Sequence, residues 1–352
     1  MPDLGLARSN QVQEHRRMRL RPLLRTLRAG DTRGRLVALS STRVALEVAV
    51  KGAAIRSGLL EELKRPKGVD ELAANRGWPD ASLAEAVLQS FASHGLVETH
   101  RGKWRIANRG RRLLNDELTR AAYEAFSTYH TGLYRDLEGV LASGGGRTDV
   151  KTAGELIARL SRFMDEFVFA ELDRLVAERS PRRLLDVGCG TGTHVRRVLE
   201  AAPSASAVGV ESDPAAAALA RSSLKDGGAG DRAEIVDSDV GRFLRERPGE
   251  TFDLILLANA IYYVPVRDRV VLLRDLADRL DVDGRLVLVT TFLSDDAFSR
   301  HFDLLLRSQD GALELPHTDV LCRQLREAGL VPRGPRRIAT GQPLIAVIAD
   351  RR

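Results

Sequence analysis

A chain of 352 residues with 43% hydrophobic and 29% charged side chains has the balance of a globular protein, and its length suffices for about two domains with cores of their own. No apolar run approaches the roughly 18 residues of a spanning helix, and no secretory h-region opens the chain, so neither a membrane span nor a leader is expected. The only two cysteines, Cys189 and Cys322, lie far apart; this argues against a disulfide framework or a thiolate zinc site and fits a reducing cytoplasm. The formal charge of +6 points weakly to an anionic partner, because only six of the 54 basic residues are lysine and such an arginine skew follows from GC-rich coding.

In chain order, residues 1–35 read as a basic arm, with eight arginines over 16–35 against a single acid, Asp31. Residues 36–63 predict a long apolar helix, 69–76 a short one and 81–94 another. Residues 97–108 (VETHRGKWRIAN) carry two strand-like runs about Arg101-Gly102, a hairpin signal. Helix, helix, helix, hairpin is the order of a winged helix, and 36–116 is read as a winged-helix-like dimerisation domain with 36–50 as its two-fold contact. The helix at 81–94 has no Arg or Lys for phosphates and base edges, so DNA reading is not expected. Residues 117–180 are read as a helical linker that contributes to the substrate pocket, with two predicted helices, 117–142 and 152–179. The first carries Tyr123, Phe126, Tyr129, His130 and Tyr134 at steps of three and four, hence on one face. That face is either core or substrate pocket; the second reading puts Tyr129 and Tyr134 in the pocket and makes His130 a candidate base. From 181 to 352 strand and helix patterns alternate regularly, which predicts a doubly wound, mostly parallel α/β sheet closed by an antiparallel hairpin.

The first strand of that half runs into GCGTG: Gly188, Gly190 and Gly192, followed by Thr193. The third glycine comes one residue too early for G-x-G-x-x-G. His194 and Val195 stand where a Walker loop needs Lys and Ser/Thr. Three acids sit where strands end: Asp186, Glu211 and Asp239. Strand ends converge on the ligand crevice of an open α/β sheet. An acid-lined crevice without phosphate-binding Lys or Arg suits an adenosyl ligand that lacks phosphates and is positively charged, as S-adenosylmethionine (SAM) is.

With these residues the chain resembles the class I SAM-dependent methyltransferases: LLDVGCGTG at 184–192, VGVESDP at 208–214, DSDV at 237–240 and FDLILLANAIYYVP at 252–265 match their four motifs. The first half is similar to the N-terminal domain of bacterial and plant small-molecule O-methyltransferases. The resemblance implies a Rossmann-like seven-stranded sheet with the last strand antiparallel, a homodimer, and SAM as cofactor with no metal. It places Asp186, Gly188, Gly190, Gly192, Glu211, Ser212, Asp239, Val240 and Asn259 about SAM, with Glu211 on the ribose and Asp239 at the adenine. The family's base is a histidine after the fourth strand; here Tyr262 stands there, with Tyr263 beside it in the substrate pocket. A tyrosine with a pKa of about 10 is a poor base at neutral pH. Either Tyr262 is nonetheless the catalytic group, or the base is His130, His301 or His317, or the acceptor ionises without help. His194 is expected to cap or pack the start of its helix. The expected activity is methyl transfer to a small molecule at oxygen, in secondary metabolism; transfer to nitrogen or carbon, RNA methylation and a non-catalytic winged-helix regulator are the alternatives. Nucleic acid is not expected as substrate, since ANAIYY replaces the Asn/Asp-Pro-Pro-aromatic turn of base N-methylation.

Overall fold

Asp31 opens the first helix by accepting a hydrogen bond from the Gly34 N–H at 2.8 Å, and α1 runs over Thr32–Arg56. The computed structural model describes Arg25, residues 30–148 and residues 153–351, so most of the basic arm at 1–35 lies outside the described residues. Two compact units are distinguished, one ending at Arg112 and the other beginning at Leu113.

In the first unit the helix predicted over 36–63 is interrupted. Gly58 adopts a left-handed conformation (φ 69°), and the chain restarts as α2, Leu59–Glu62. Then come α3 (Val69–Arg76), ended by left-handed Gly77, and α4 (Ala81–Ser93), capped by Asp80. The hairpin of β1 (Val97–His100) and β2 (Lys103–Ile106) turns at Arg101 and Gly102, both with positive φ, as a two-residue primed turn demands. Helix α5, Asn108–Asn115, follows. Leu60, Leu63, Leu72, Leu88, Phe91, Leu96, Trp104 and Ile106 form this unit's buried core.

The second unit begins with α6 (Glu117–Ala125), a π-helical turn over Phe126–His130, α7 (Thr131–Arg135) and α8 (Leu137–Ser143). The single predicted helix over 117–142 is therefore broken. A π turn takes an extra residue per turn, so steps of three and four no longer fall on one face. Tyr129 and His130 are buried, whereas Tyr134 is 51% exposed. The helix predicted over 152–179 is likewise divided into α9 (Gly154–Ser161), a 3₁₀ turn over Arg162–Met164, and α10 (Asp165–Glu178).

The sheet follows, with strands β3 (Arg183–Val187), β4 (Ser206–Glu211), β5 (Ala233–Asp237), β6 (Phe252–Ala258), β7 (Leu280–Thr291), β8 (Leu330–Arg337) and β9 (Leu344–Arg351). Between them lie α11 (Thr193–Ala201), α12 (Pro214–Asp226), α13 (Val240–Glu246), α14 (Arg269–Ala277), α15 (Ala297–Arg307) and α16 (Thr318–Glu327). The seven strands are ordered β5-β4-β3-β6-β7-β9-β8, and only β9 runs against its neighbours. This is the expected doubly wound, Rossmann-like α/β sheet. Alternation in the central strands sends Leu184, Leu254 and Leu256 to the core on one face and Leu185, Val187, Ile255 and Leu257 to the core on the other. The strand order reverses at β3, with β4 on one side and β6 on the other, so a crevice opens at the carboxyl ends of these strands.

Gly110 in α5 tests the packing of the first unit. A Cβ there would lie 2.2 Å from the Leu96 carbonyl oxygen and 2.8 Å from Ile106 Cγ1. Gly110→Ala is expected to cost about 1–3 kcal/mol by overpacking, read as a lower urea midpoint. An unchanged midpoint would mean that α5 does not seat against the hairpin.

Candidate active site

The glycine loop is shaped by backbone requirements before any ligand is considered. Gly188, Gly190 and Gly192 have φ of 72°, 54° and 76°, a region that side chains disfavour. Gly188 and Cys189 both donate to the Val210 carbonyl, at 2.8 and 3.1 Å, which ties the loop to the end of β4. At that same end Glu211 reaches across: Oε2 accepts from the Gly190 N–H and Oε1 from the Asp213 N–H, each at 2.9 Å. The carboxylate is thus held in place, and each oxygen keeps a lone pair for a hydroxyl of a bound diol.

Asp186 lies beneath this loop, one residue before the end of β3, and is fully buried. Neither of its oxygens has a hydrogen-bond partner among the described residues. Burial pushes its carboxyl up to about 6, with Glu211 and Asp165 adding to the rise and His194 opposing it. An unpartnered carboxylate is costly inside a protein, so its persistence argues for a cationic ligand as its missing partner. His194 does not cap α11; Gly192 is the N-cap, and the imidazole packs inward.

A pocket of about 660 Å³ opens above these groups. Gly188, Gly190, Glu211, Ser212, Asp239, Val240, Asn259, Tyr262 and Tyr263 line it, so nine of the residues expected at the site come together there. Asp239 caps α13 through Oδ1, which accepts from the Arg242 N–H at 2.9 Å, leaving its second oxygen for a ligand amino group. Asn259 sits at φ 54° with a buried Oδ1 that has no partner among the described residues. Two expected residues are not among those lining the pocket: Asp186, and Gly192, where a Cβ would press on Ala220 at 3.2 Å.

The acceptor side departs from expectation. Tyr262 is buried, with its ring edge-on to Tyr263 and to Phe302 at centroid distances of 4.7 and 5.1 Å. Burial pushes both phenols well above their ordinary range, which opposes ionisation of Tyr262. No histidine is among the described residues that line the pocket. His130 stacks on Phe126 and places Nδ1 2.8 Å from His301 Nε2, while the Tyr134 hydroxyl lies 2.8 Å from His301 Nδ1. Burial holds His130 down at about 4. Tyr129, Tyr134 and His130 are thus placed off the pocket wall, because the π turn rotates them away from a common face. His317 is exposed at the head of α16. The linker adds to the wall through Gly154, Ile157 and Ala158 of α9, and Asp310 and Leu313 join them; sequence reasoning singled out none of these five residues. Arg147 is the one basic side chain among the lining residues.

The raised carboxyl of Asp186 has a consequence for stability. Its pKa lies above the unfolded value of 3.8, so the stabilising neutral form is fully present below pH 3.8 and is lost as pH rises through about 6. Asp186→Asn removes that charge, and the ligand-free variant is expected to exceed the parent in stability at pH 8 by on the order of 2 kcal/mol. The gap should close near pH 4. Urea unfolding at both pH values checks this, and a variant less stable than the parent at pH 8 would refute the unpaired-charge description.

Comparison with known proteins agrees with the geometry. Residues 160–333 match a family model described as a methyltransferase domain. Demethylspheroidene O-methyltransferase of Rhodobacter capsulatus is 31% identical over 157 residues, which are 37% of this chain and 39% of that protein. Trans-aconitate 2-methyltransferase of Klebsiella pneumoniae is 29% identical over 119 residues, 34% of this chain and 43% of that protein. The chain thus spans about two fifths of the length of these relatives. The structure of the mitomycin 7-O-methyltransferase MmcR superposes with a TM-score of 0.70 at 20% identity, covering 92% of this chain and 99% of that one, a likeness of fold. Residues 160–333 thus match a methyltransferase domain, and the chain shares the fold of that O-methyltransferase structure.

Proposed function

We propose that this chain transfers the methyl group of SAM to an oxygen of a small molecule. The observation that carries the reading is the acid-lined pocket of Glu211 and Asp239 beside the glycine loop, with the fully buried Asp186, unpartnered among the described residues, behind that loop, a setting that suits a cationic ligand without phosphates. Asp186 receives the ammonium group, Glu211 the ribose hydroxyls and Asp239 the adenine amino group, with Val240 against the ring. When bound, SAM supplies an electrophilic methyl group on a sulfonium. Ile157, Leu313 and the Tyr262–Tyr263 pair offer the acceptor a largely apolar wall, which orients it and excludes water. With Tyr262 held as a neutral phenol and no histidine among the described lining residues, the acceptor is a hydroxyl acidic enough to ionise near neutral pH. The O-methyltransferase relative supports oxygen as the receiving atom.

The first unit is read as a winged-helix-like module that pairs two copies of the chain. Leu36, Val37, Leu39, Val44 and Leu46 of α1 are each at least 55% exposed, and this apolar row supports α1 as the contact. Both cysteines are free, which supports a reducing, cytoplasmic setting.

Three outcomes are expected. Glu211→Ala weakens SAM binding by about 1–3 kcal/mol as buried hydrogen bonds are lost; calorimetry in which neither SAM nor S-adenosylhomocysteine binds the parent protein would overturn the enzyme reading. Tyr262→Phe lowers kcat by less than about tenfold, whereas a general base would cost about 10²–10⁴-fold; the acceptor for this assay comes from mass spectrometry of a metabolite extract incubated with labelled SAM. Leu39→Glu with Val44→Glu shifts the chain from dimer to monomer in sedimentation, and an unchanged mass would move the contact elsewhere.

A further inference from the structure

Arg269 is 1% exposed and is among the largest fully buried side chains of the chain. It opens α14, one turn before the pocket-lining Leu272, and is not itself a lining residue. Its guanidinium spans two stretches of wall. Nε donates to the Val264 carbonyl at 3.1 Å, and a terminal nitrogen donates to the Glu314 carbonyl at 2.6 Å. Val264 ends the 3₁₀ turn Ile261–Tyr263, which carries Tyr262 and Tyr263, and Glu314 follows Leu313. Tyr262, Tyr263, Val264 and Leu313 all line the pocket, so Arg269 joins both stretches of the acceptor side from behind.

The stretch over 309–315 needs such a hold. Gly311 and Ala312 have φ of 111° and 55°, and the second is a conformation that alanine rarely adopts. The reversal leaves Ala312 exposed and turns Leu313 inward, where it joins Tyr262, Leu306 and Leu315 in one apolar cluster. A strained turn keeps its shape only where the surrounding structure over-determines it. Its anchors include the Asp310 N–H, which donates to the Arg147 carbonyl at 2.8 Å, and the Leu315 N–H, which donates to Asp303 Oδ1 at 3.0 Å. The Glu314 carboxylate pairs with Arg307 at 2.7 Å, and its carbonyl is the one that Arg269 holds. A guanidinium suits this brace because its donors diverge in a fixed fork, whereas an ammonium is a single point.

Building on the SAM reading, we propose that Arg269 is a positioning residue of the acceptor site, one that sets how Leu313 faces the Tyr262–Tyr263 pair and thereby how firmly the acceptor is seated. It acts through two backbone carbonyls. Glu211 and Asp239 on the donor side are held by other bonds, from the Gly190, Asp213 and Arg242 N–H groups, so loss of the brace loosens the acceptor end alone.

The test compares the full parent chain with Arg269→Met, which fills much of the same space but donates no hydrogen bond; a melting curve confirms folding. In hydrogen-exchange mass spectrometry, peptides covering 261–265 and 309–316 should exchange faster in the variant, while 184–192 should exchange as in the parent. Calorimetry with S-adenosylhomocysteine should give an affinity within about twofold of the parent, because the donor groups share no partner with Arg269. With labelled SAM and a serially diluted metabolite extract, the amount of extract that half-saturates the enzyme should rise by about tenfold, with a smaller fall in maximal rate, as when binding common to ground and transition states is lost. Arg269→Lys, which keeps the charge and reaches one carbonyl, should recover part of this loss. If Arg269→Met fails to fold, Asp303→Ala, which cuts another anchor of the same loop, should reproduce the pattern. Unchanged protection of 309–316, or faster exchange with unchanged half-saturation, would overturn the role of Arg269 and leave the SAM reading intact. Equal losses of donor and acceptor affinity would reduce Arg269 to general stability and overturn it too. A parent chain that binds no S-adenosylhomocysteine, or labels no small molecule in the extract, would overturn the SAM reading and this inference with it.

Discussion

A fully buried carboxylate with no hydrogen-bond partner among the described residues is the constraint about which the second unit is arranged. Asp186 cannot be relieved by its own strand, whose backbone groups are committed to β4 and β6. Nor can the loop relieve it: the Gly188 and Cys189 N–H groups are turned to Val210, and that of Gly190 to Glu211. The fold therefore leaves this buried acceptor unsatisfied while backbone N–H groups hold Glu211 and Asp239. Such a group is tolerated because the two apolar cores flanking the sheet are extensive enough to offset it.

The reversal of strand order at β3 makes this location inevitable. A residue near the carboxyl end of the first strand faces a gap that no crossover helix covers. The same end of β4 delivers Glu211 and the turn after β5 delivers Asp239, so three residues distant in sequence meet because parallel strands all finish on one edge. Asp253 fixes the alignment from the opposite end, its two oxygens accepting from the Arg182 and Arg183 N–H groups at 2.7 and 2.9 Å.

The donor side was legible in the chain because its determinants are local. A strand, three glycines at fixed offsets and an acid at each strand end can be located without knowing any tertiary contact. The acceptor side was far less so. Whether Tyr129, His130 and Tyr134 share a face depends on a π turn that packing selects, and no residue between 126 and 130 announces it. The wall from α9 needs only small or apolar side chains such as Gly154, Ile157 and Ala158, a requirement that many segments meet. The Tyr262 position was found from motif alignment, but its chemistry was set by burial against Tyr263 and Phe302, which alignment does not convey.

The placement of β9 bears on how the sheet is assembled. Its two neighbours, β7 and β8, both precede it in the chain, and each bonds to β9 rather than to the other. Until residues 344–351 are in place, β7 presents a long open edge, and most of its residues from Arg285 to Thr290 are apolar. Assembly of the sheet thereby follows the order of the chain: β3, β4 and β6 have both neighbours early, whereas β7 and β8 wait for β9. During that interval the chain is a partly finished sheet with two unmatched borders, the species most prone to pair with another molecule of its own kind.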